Sequence, residues 1–190
     1  PISTGENDFT RYDFRDIIAH EAADILQPDL ALCGGFTSAR RIATLAGVAP
    51  GQHVLEIGCG WGGFCTWAAR EIGCRVTAIT ISREQYERSA VRVAQAGLQD
   101  RITLLLEDFR DLEGRFDKLV SIEMIEAVGA EYQPLFFAKC SELLRPDGEM
   151  LLQAITIADQ NYEAYLRRVD FIRRYVFPGG SLTSTTSMAR

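Results

Sequence analysis

The most constraining feature of this chain is a short apolar segment that ends in a run of glycines, HVLEIGCGWGG from His53 to Gly63. Val54–Ile57 is apolar apart from one acid and is long enough for a buried β-strand. Four glycines follow within six residues, and glycines let a backbone adopt positive φ and approach a ligand closely. Apolar residues then recur at helical spacing from 64 to 72. The sequence predicts a strand–loop–helix unit whose free backbone amides face a nucleotide-like cofactor.

Two cofactor classes fit such a turn. Gly58, Gly60 and Gly63 satisfy the dinucleotide pattern G-x-G-x-x-G, but that site also needs an acid about 20 positions later, at the end of the second strand. The second predicted strand, 74–81, has no carboxylate at its end. Glu56 instead precedes the first glycine, and strand–acid–G-x-G-x-G resembles class I S-adenosylmethionine methyltransferases. S-adenosylmethionine is favoured over a dinucleotide, and a tight turn that only packs a helix on a sheet is the structural alternative.

Length and composition exclude several classes of protein. The 190 residues suit one domain, 1–190, and the net charge of −6 argues against a nucleic-acid partner. Five cysteines without a C-x-x-C pair and only two histidines predict reduced thiols and no metal site. No apolar run approaches the ~18 residues of a membrane span, and the polar start is not a signal peptide, so a cytoplasmic location is expected. The missing initiator Met and the last residues, Met188 to Arg190, indicate a fragment.

Apolar periodicity predicts alternating strands and helices between a helical N-terminal segment, 12–46, and a last helix within 160–177. The N-terminal segment comprises the predicted helices Tyr12–Leu26 and Ser38–Ala46. The core, 52–157, holds five predicted strands at 54–57, 74–81, 102–106, 116–122 and 149–155. This pattern predicts an α/β, Rossmann-like fold: a parallel sheet of order 3-2-1-4-5 with helices on both faces and the glycine loop at the switch point.

Five segments, in this order and spacing, carry a specific resemblance over roughly residues 48–180: EIGCGWGG, AITISREQ, FRDLEGRFDKLVSIEMIEAVG, LLRPDGEMLLQAITI and FIRRYVFPGG. They resemble the cyclopropane-fatty-acyl-phospholipid synthase family, which includes the mycolic acid cyclopropane synthases. The resemblance implies an S-adenosylmethionine-dependent methyltransferase that adds a methylene (cyclopropane) or methyl group to unsaturated acyl chains of phospholipids. The resemblance also implies further strands after FPGG, and we expect this chain to lack them.

The resemblance also implies a cofactor site. Gly58 and Gly60 would approach the methionine portion of the cofactor. The ribose would lie among Thr80, Ile81 and Gln85, and the adenine beside Asp108 and Phe109. The alternatives are a capping side chain for Gln85 and a core aromatic for Phe109. The complete predicted set is Glu56, Gly58, Cys59, Gly60, Trp61, Thr80, Ile81, Gln85, Asp108 and Phe109.

The reaction itself indicates which other residues matter. A cis alkene attacks the sulfonium methyl group, and the resulting carbocation must lose a proton, so the site needs a base and a dry apolar slot. By resemblance, Glu126 holds a bicarbonate ion that takes the proton, and Gln153 and Ile155 line the same ion site. Cys33 is the candidate for the family's ion-binding cysteine, although its neighbours differ. The alternatives are a cap on the following segment for Glu126 and a buried thiol for Cys33.

The last predicted helix, Tyr162–Phe177, has an apolar stripe and a net charge of +2. Such a helix can meet anionic headgroups while its aromatic residues face acyl chains, which predicts peripheral contact with phospholipid at the inner membrane face. The alternative is a helix packed on the sheet with a solvated charged face. Two other functions stay open: a methyltransferase for a small polar molecule, and a truncated cofactor-binding remnant without activity. The sequence does not predict an oligomeric state.

Overall fold

A computed structural model describes residues 3–4, 25–26 and 43–188 and is built around one parallel sheet. Two short strands outside this sheet, β1 (Ser3–Thr4) and β2 (Ile25–Leu26), pair in parallel with each other. The sheet contains β3 (His53–Ile57), β4 (Arg75–Thr80), β5 (Ile102–Leu106), β6 (Phe116–Ile122) and β7 (Leu144–Gln153). Its order is β5-β4-β3-β6-β7, which confirms the predicted order 3-2-1-4-5 and places the loop after β3 at the switch point.

Apolar side chains of the central strands alternate between two buried clusters. Val54 of β3 belongs to a cluster with residues of the helix that follows β3, whereas Leu55 and Ile57 belong to a second cluster on the other face. The second cluster includes Phe136 and Leu143 of the helix that precedes β7. Both faces of the sheet are therefore covered, which explains why its strands have nearly continuous apolar sequences.

The helices follow the strands as the periodicity predicts. They are α1 (Gly63–Trp67, continued by a π-helical turn over Ala68–Ile72), α2 (Arg83–Gln95), α3 (Gln133–Leu143), α4 (Asp159–Leu166) and α5 (Thr185–Met188). Ser82 caps α2, because its side chain accepts a hydrogen bond from the backbone N–H of Gln85. Gly97, with φ +65°, follows the end of α2 in the left-handed conformation that terminates helices.

Three predicted boundaries are wrong or only partly described. Ile25–Leu26 is a strand, so the first helix does not extend to Leu26, and the rest of that helix lies outside the described residues. Of the predicted helix Ser38–Ala46, residues 43–45 are helical and 38–42 lie outside the described part. The last strand begins at Leu144 and ends at Gln153, and its register with β6 shifts around the Pro-Asp-Gly turn instead of starting after it.

The predicted continuous helix Tyr162–Phe177 is also wrong: it breaks after α4, and only Ile172–Val176 resumes a π-helical turn. Arg173 explains the break, because its guanidinium donates to the backbone carbonyls of Tyr165, Arg168 and Gly180. Two of these carbonyls, those of Tyr165 and Arg168, lie at and just beyond the end of α4, where an uninterrupted helix would have bonded them to its own amides. No helix in the described part of the chain is long and apolar enough to cross a bilayer.

Candidate cofactor and catalytic site

A cavity of about 1030 Å³ lies at the carboxyl ends of β3, β4, β5 and β6. Ligands bind at this edge in open parallel sheets. All ten residues predicted for the cofactor are among those that line it: Glu56, Gly58, Cys59, Gly60, Trp61, Thr80, Ile81, Gln85, Asp108 and Phe109. The fold therefore brings the whole predicted set to one cavity, while their contact with a cofactor stays a prediction.

The glycine loop needs its glycines for two different reasons. Gly58 has φ +83°, and a Cβ there would lie 2.6 Å from Cγ of Met124, so a larger residue would displace the segment after β6. Gly60 has φ +51°, and a Cβ there would meet nothing within 4 Å. The first glycine lets two backbone segments touch, and the second keeps cavity space open for a ligand.

The prediction that the loop amides are free is wrong for three of them. The N–H groups of Gly58 and Cys59 both donate to the carbonyl of Ile79 at the end of β4, at 3.1 and 2.8 Å. The N–H of Gly62 donates to the carbonyl of Cys59 within the loop. The loop is thus fixed to the neighbouring strand by its own amides. Cys59 lines the cavity with an uncharged thiol, since burial raises the pKa of this thiol to about 12.

Glu56 is an ionisable side chain buried at the base of the cavity, with 3% of its surface exposed. Cys65 of α1 opposes the effect of burial on the pKa of this carboxyl group, and its thiol donates to the carbonyl of Gly62. The Oε2 atom of Glu56 has no hydrogen-bond partner among the described residues. Burial raises the pKa of Glu56 to about 8. A buried oxygen without a partner is costly, so this acid fits a cavity that receives a cationic group.

Glu56→Gln is expected to stabilise the ligand-free protein at pH 8 and to have little effect near pH 5. Because burial raises the pKa of Glu56 from 4.5 to about 8, the folded state keeps a proton that the unfolded chain releases. Its contribution to stability is present below pH 4.5 and is lost as the pH rises toward 8, by on the order of 1–4 kcal/mol. Urea unfolding of both proteins at the two pH values measures their free energies of unfolding. A difference between the proteins that does not change with pH would contradict this prediction.

The residues predicted for the ribose and the adenine are held by their own contacts. Thr80 Oγ1 donates to Oε1 of Gln85 at 2.7 Å, so the Gln85 side chain is oriented at the cavity and does not cap α2. Arg110 forms two side-chain hydrogen bonds to the carboxylate of Asp108, which lower the pKa of that acid. Phe109 lines the cavity and also packs edge-on against Phe136, with 5.4 Å between ring centroids, so it is part of the core and its contact with the adenine stays a prediction.

The residues predicted for catalysis lie next to the cavity but do not form its described wall. Glu126 is in the 3₁₀ turn Ile125–Ala127, and its Oε1 accepts a hydrogen bond from the backbone N–H of Ile155. Its Oε2 is buried without a hydrogen-bond partner among the described residues, and burial raises the pKa of the acid. Glu126 thus connects the ends of β6 and β7, and its carboxylate does not cap the following segment. Cys33 lies outside the described residues.

The side chain of Gln153 contacts Glu123, an acid that the sequence analysis did not select as a site residue. Its Nε2 donates to Oε1 of Glu123 at 2.8 Å, and Glu123 lines the cavity. The signal in the sequence is an acid directly after the fourth predicted strand, at the edge of the sheet where ligands bind. Glu123 and Glu126 are therefore two separate carboxylates, one toward the cavity and one toward Ile155.

Comparison with known proteins identifies the family. Residues 37–190 match the sequence model of the mycolic acid cyclopropane synthetase family. The chain belongs to this family. The resemblance inferred from the five segments is confirmed, and with it the α/β, Rossmann-like fold class.

Individual relatives agree with this assignment. The mycobacterial tuberculostearic acid methyltransferase UfaA1 (Mycobacterium tuberculosis) is 43% identical over 148 residues, 78% of this chain and 34% of that protein. The cyclopropane-fatty-acyl-phospholipid synthase of Escherichia coli is 38% identical over 143 residues, 74% of this chain and 35% of that protein. The solved structure of mycolic acid cyclopropane synthase CmaA1 with SAH and CTAB has a TM-score of 0.72 and 28% identity, covering 80% of this chain and 56% of that one. The chain spans about a third of the length of these curated family members.

Proposed function

We propose that this chain carries the S-adenosylmethionine-binding core of a methyltransferase that adds a methylene (cyclopropane) or methyl group to unsaturated acyl chains of phospholipids. The observation that carries the proposal is the buried carboxyl group of Glu56 at the base of the glycine-loop cavity. No acid stands at the end of β4, where a dinucleotide site needs one. The names of family members with methyltransferase and cyclopropane synthase activity support the reaction class.

The chain's own residues fit this cofactor. Oε2 of Glu56 offers an acceptor to the cofactor's ammonium group, and the open space at Gly60 accommodates the methionine portion. Thr80 and Gln85 present polar atoms suited to ribose hydroxyls, and Phe109 presents an aromatic face to the adenine. When bound, the cofactor supplies an electrophilic methyl group. The apolar wall formed by Ile79, Ile122, Met124 and Val128 excludes water from this end of the sheet.

Removal of the proton is the work we assign to the region of Glu126. Its unpartnered Oε2 can accept a hydrogen bond from the O–H of a bicarbonate ion, which supplies a proton acceptor. The raised pKa of Glu126 makes this carboxylate a better base near neutral pH than an exposed acid. Gln153 lies at the end of β7 beside Ile155, which donates to Glu126, so it borders the same region. Cys33 is retained as a proposed member of this ion site.

Mass spectrometry of lipids tests this function. Cells that express the gene encoding this chain should contain phospholipids whose unsaturated acyl chains have gained one CH₂ unit, relative to cells with an empty vector. The same lipids with no mass change would contradict the proposal. Methylation of a small polar metabolite without any lipid change would favour the alternative enzyme class.

We further propose that the protein contacts the inner membrane face through an aromatic surface around the break after α4. This surface consists of Val169, Phe171, Ile172, Tyr175, Val176 and Phe177, each of which is at least 47% exposed. Exposed cations border it, and the guanidinium of Arg174 lies over the ring of Tyr175 at 5.5 Å. Arg173 is not one of them, because it bonds backbone carbonyls. Aromatic residues beside arginines suit the interface between acyl chains and anionic headgroups.

Vesicle co-sedimentation measures this contact. The protein should bind vesicles containing an anionic phospholipid better than purely zwitterionic ones, and high salt should release it. Phe171→Ser combined with Phe177→Ser should weaken binding. Val91→Ser, at an apolar position on α2 that is 50% exposed, is the control and should bind normally. Equal binding to both kinds of vesicle, or to neither, would assign this surface a packing role.

A further inference from the structure

Glu123 has the only positive φ angle of a residue other than glycine in the described part of the chain, at +48°. It directly follows β6, and its backbone N–H donates to the carbonyl of Gln153 at 2.8 Å. The neighbouring strand thus fixes the left-handed conformation, which is unfavourable for any residue with a Cβ. Strained residues of this kind cluster at functional sites, where the side chain has a role that a glycine could not fill.

The Glu123 side chain lies where the cofactor's reactive end is expected. It lines the cavity, and the next residue, Met124, is the one that approaches Gly58 of the glycine loop. The segment after β6 therefore packs directly on the loop that we propose holds the methionine portion. The amide of Gln153 donates to Oε1 of Glu123 at 2.8 Å and fixes the orientation of the acid without adding a charge of its own.

We propose that Glu123 is a specificity residue that distinguishes the methyl donor from its product. S-adenosylmethionine carries a positive sulfonium, whereas S-adenosylhomocysteine, left after methyl transfer, has a neutral thioether at the same place. A carboxylate on the cavity wall attracts the positive sulfonium, and it has no such attraction for the neutral thioether. The site then retains the charged donor and releases the neutral product. This inference rests on the proposed cofactor site and adds a role for Glu123 within it.

Glu56 and Glu123, two acids that line the cavity, provide a matched comparison. The ammonium group that we assign to Glu56 is present in both ligands, whereas the sulfonium is present in only one. Loss of the Glu56 carboxyl group, which can ionise when an ammonium group binds beside it, should therefore weaken both ligands alike, and loss of the Glu123 charge should weaken S-adenosylmethionine alone. The ratio of the two dissociation constants separates a specificity role from a general effect on the cavity.

Calorimetric titration of the wild-type protein, Glu123→Gln and Glu56→Gln with both ligands tests this inference. Glu123→Gln should raise the Kd of S-adenosylmethionine about tenfold and change that of S-adenosylhomocysteine less than about twofold. Glu56→Gln should raise both Kd values and keep their ratio. Glu123→Gly should show the same loss of discrimination with an unchanged or higher Tm, because glycine tolerates φ +48°.

The outcomes separate this inference from the function on which it rests. If the wild-type protein binds both ligands and Glu123→Gln keeps the wild-type ratio, the cofactor site stands and the role of Glu123 is overturned. If the wild-type protein binds neither ligand, the proposed function fails and this inference fails with it.

Discussion

Gly60→Val is expected to abolish S-adenosylmethionine binding, raising its Kd by about 100-fold or more, while the protein stays folded. A Cβ at Gly60 would meet nothing within 4 Å, so the added side chain enters open cavity space where the ligand must lie. The backbone cost of a residue with a Cβ at φ +51° is about 1–2 kcal/mol, which lowers stability without unfolding a domain of this size. Gly58→Val would not be informative, because its side chain would collide with Met124.

Gly97→Val is the matched control for this substitution. Gly97 has φ +65°, and a Cβ there would also meet nothing within 4 Å, but the residue follows α2 and does not line the described cavity. Thermal unfolding should show a similar loss of stability in the two variants. In calorimetry, only Gly60→Val should show no heat of S-adenosylmethionine binding. Normal binding by Gly60→Val, or an equal loss in Gly97→Val, would show that the open space at the loop is not the ligand site.

The second large effect is expected for Glu126→Gln, with a loss of activity of about 100-fold or more, the scale of a general base. An amide has the size of the acid and its oxygen can still accept the hydrogen bond from the N–H of Ile155. It removes the negative charge with which, as we propose, Glu126 holds the proton-accepting ion and stabilises the developing positive charge. Because Glu126 does not form the described wall of the cavity, the affinity for S-adenosylmethionine should not change.

Glu131→Gln provides the control for charge removal on the same segment. Glu131 is exposed in the 3₁₀ turn Ala130–Tyr132, so the same chemical change there should leave activity intact. Activity is the yield of modified acyl chains in cells that express each variant at equal levels. A parallel loss of cofactor affinity in Glu126→Gln would mean that the residue is structural, and an unchanged yield would mean that the proton leaves by another route.

The sheet could be predicted from the sequence because each of its strands has its own local signal. Val54–Ile57 is a continuous apolar run, and buried parallel strands produce such runs. The start of α2 could also be predicted, because Ser82 has the side chain of a typical helix N-cap. The order of the strands followed from the alternation of strands and helices together with the position of the glycine loop.

The errors arose where distant backbone groups decide the local structure. The apolar stripe from 162 to 177 has helical spacing, but Arg173 bonds three backbone carbonyls and the helix breaks. Likewise, nothing local to the glycine loop shows that the carbonyl of Ile79 takes up two of its amides. Glu123 was visible as an acid after a strand, but its left-handed backbone depends on the bond to Gln153. Periodicity shows which face of a helix or strand is apolar. It carries no information about these contacts, because they form between segments that are distant in the sequence.

Calorimetric titration of the unmodified protein with S-adenosylmethionine and, separately, with NAD decides which class of cofactor the cavity binds. Glu56 before the glycines and the absence of an acid at the end of β4 predict saturable binding of S-adenosylmethionine with one site per chain. They also predict no heat with NAD. Binding of NAD without S-adenosylmethionine, or binding of neither, would contradict the assignment of this cavity to a methyl donor.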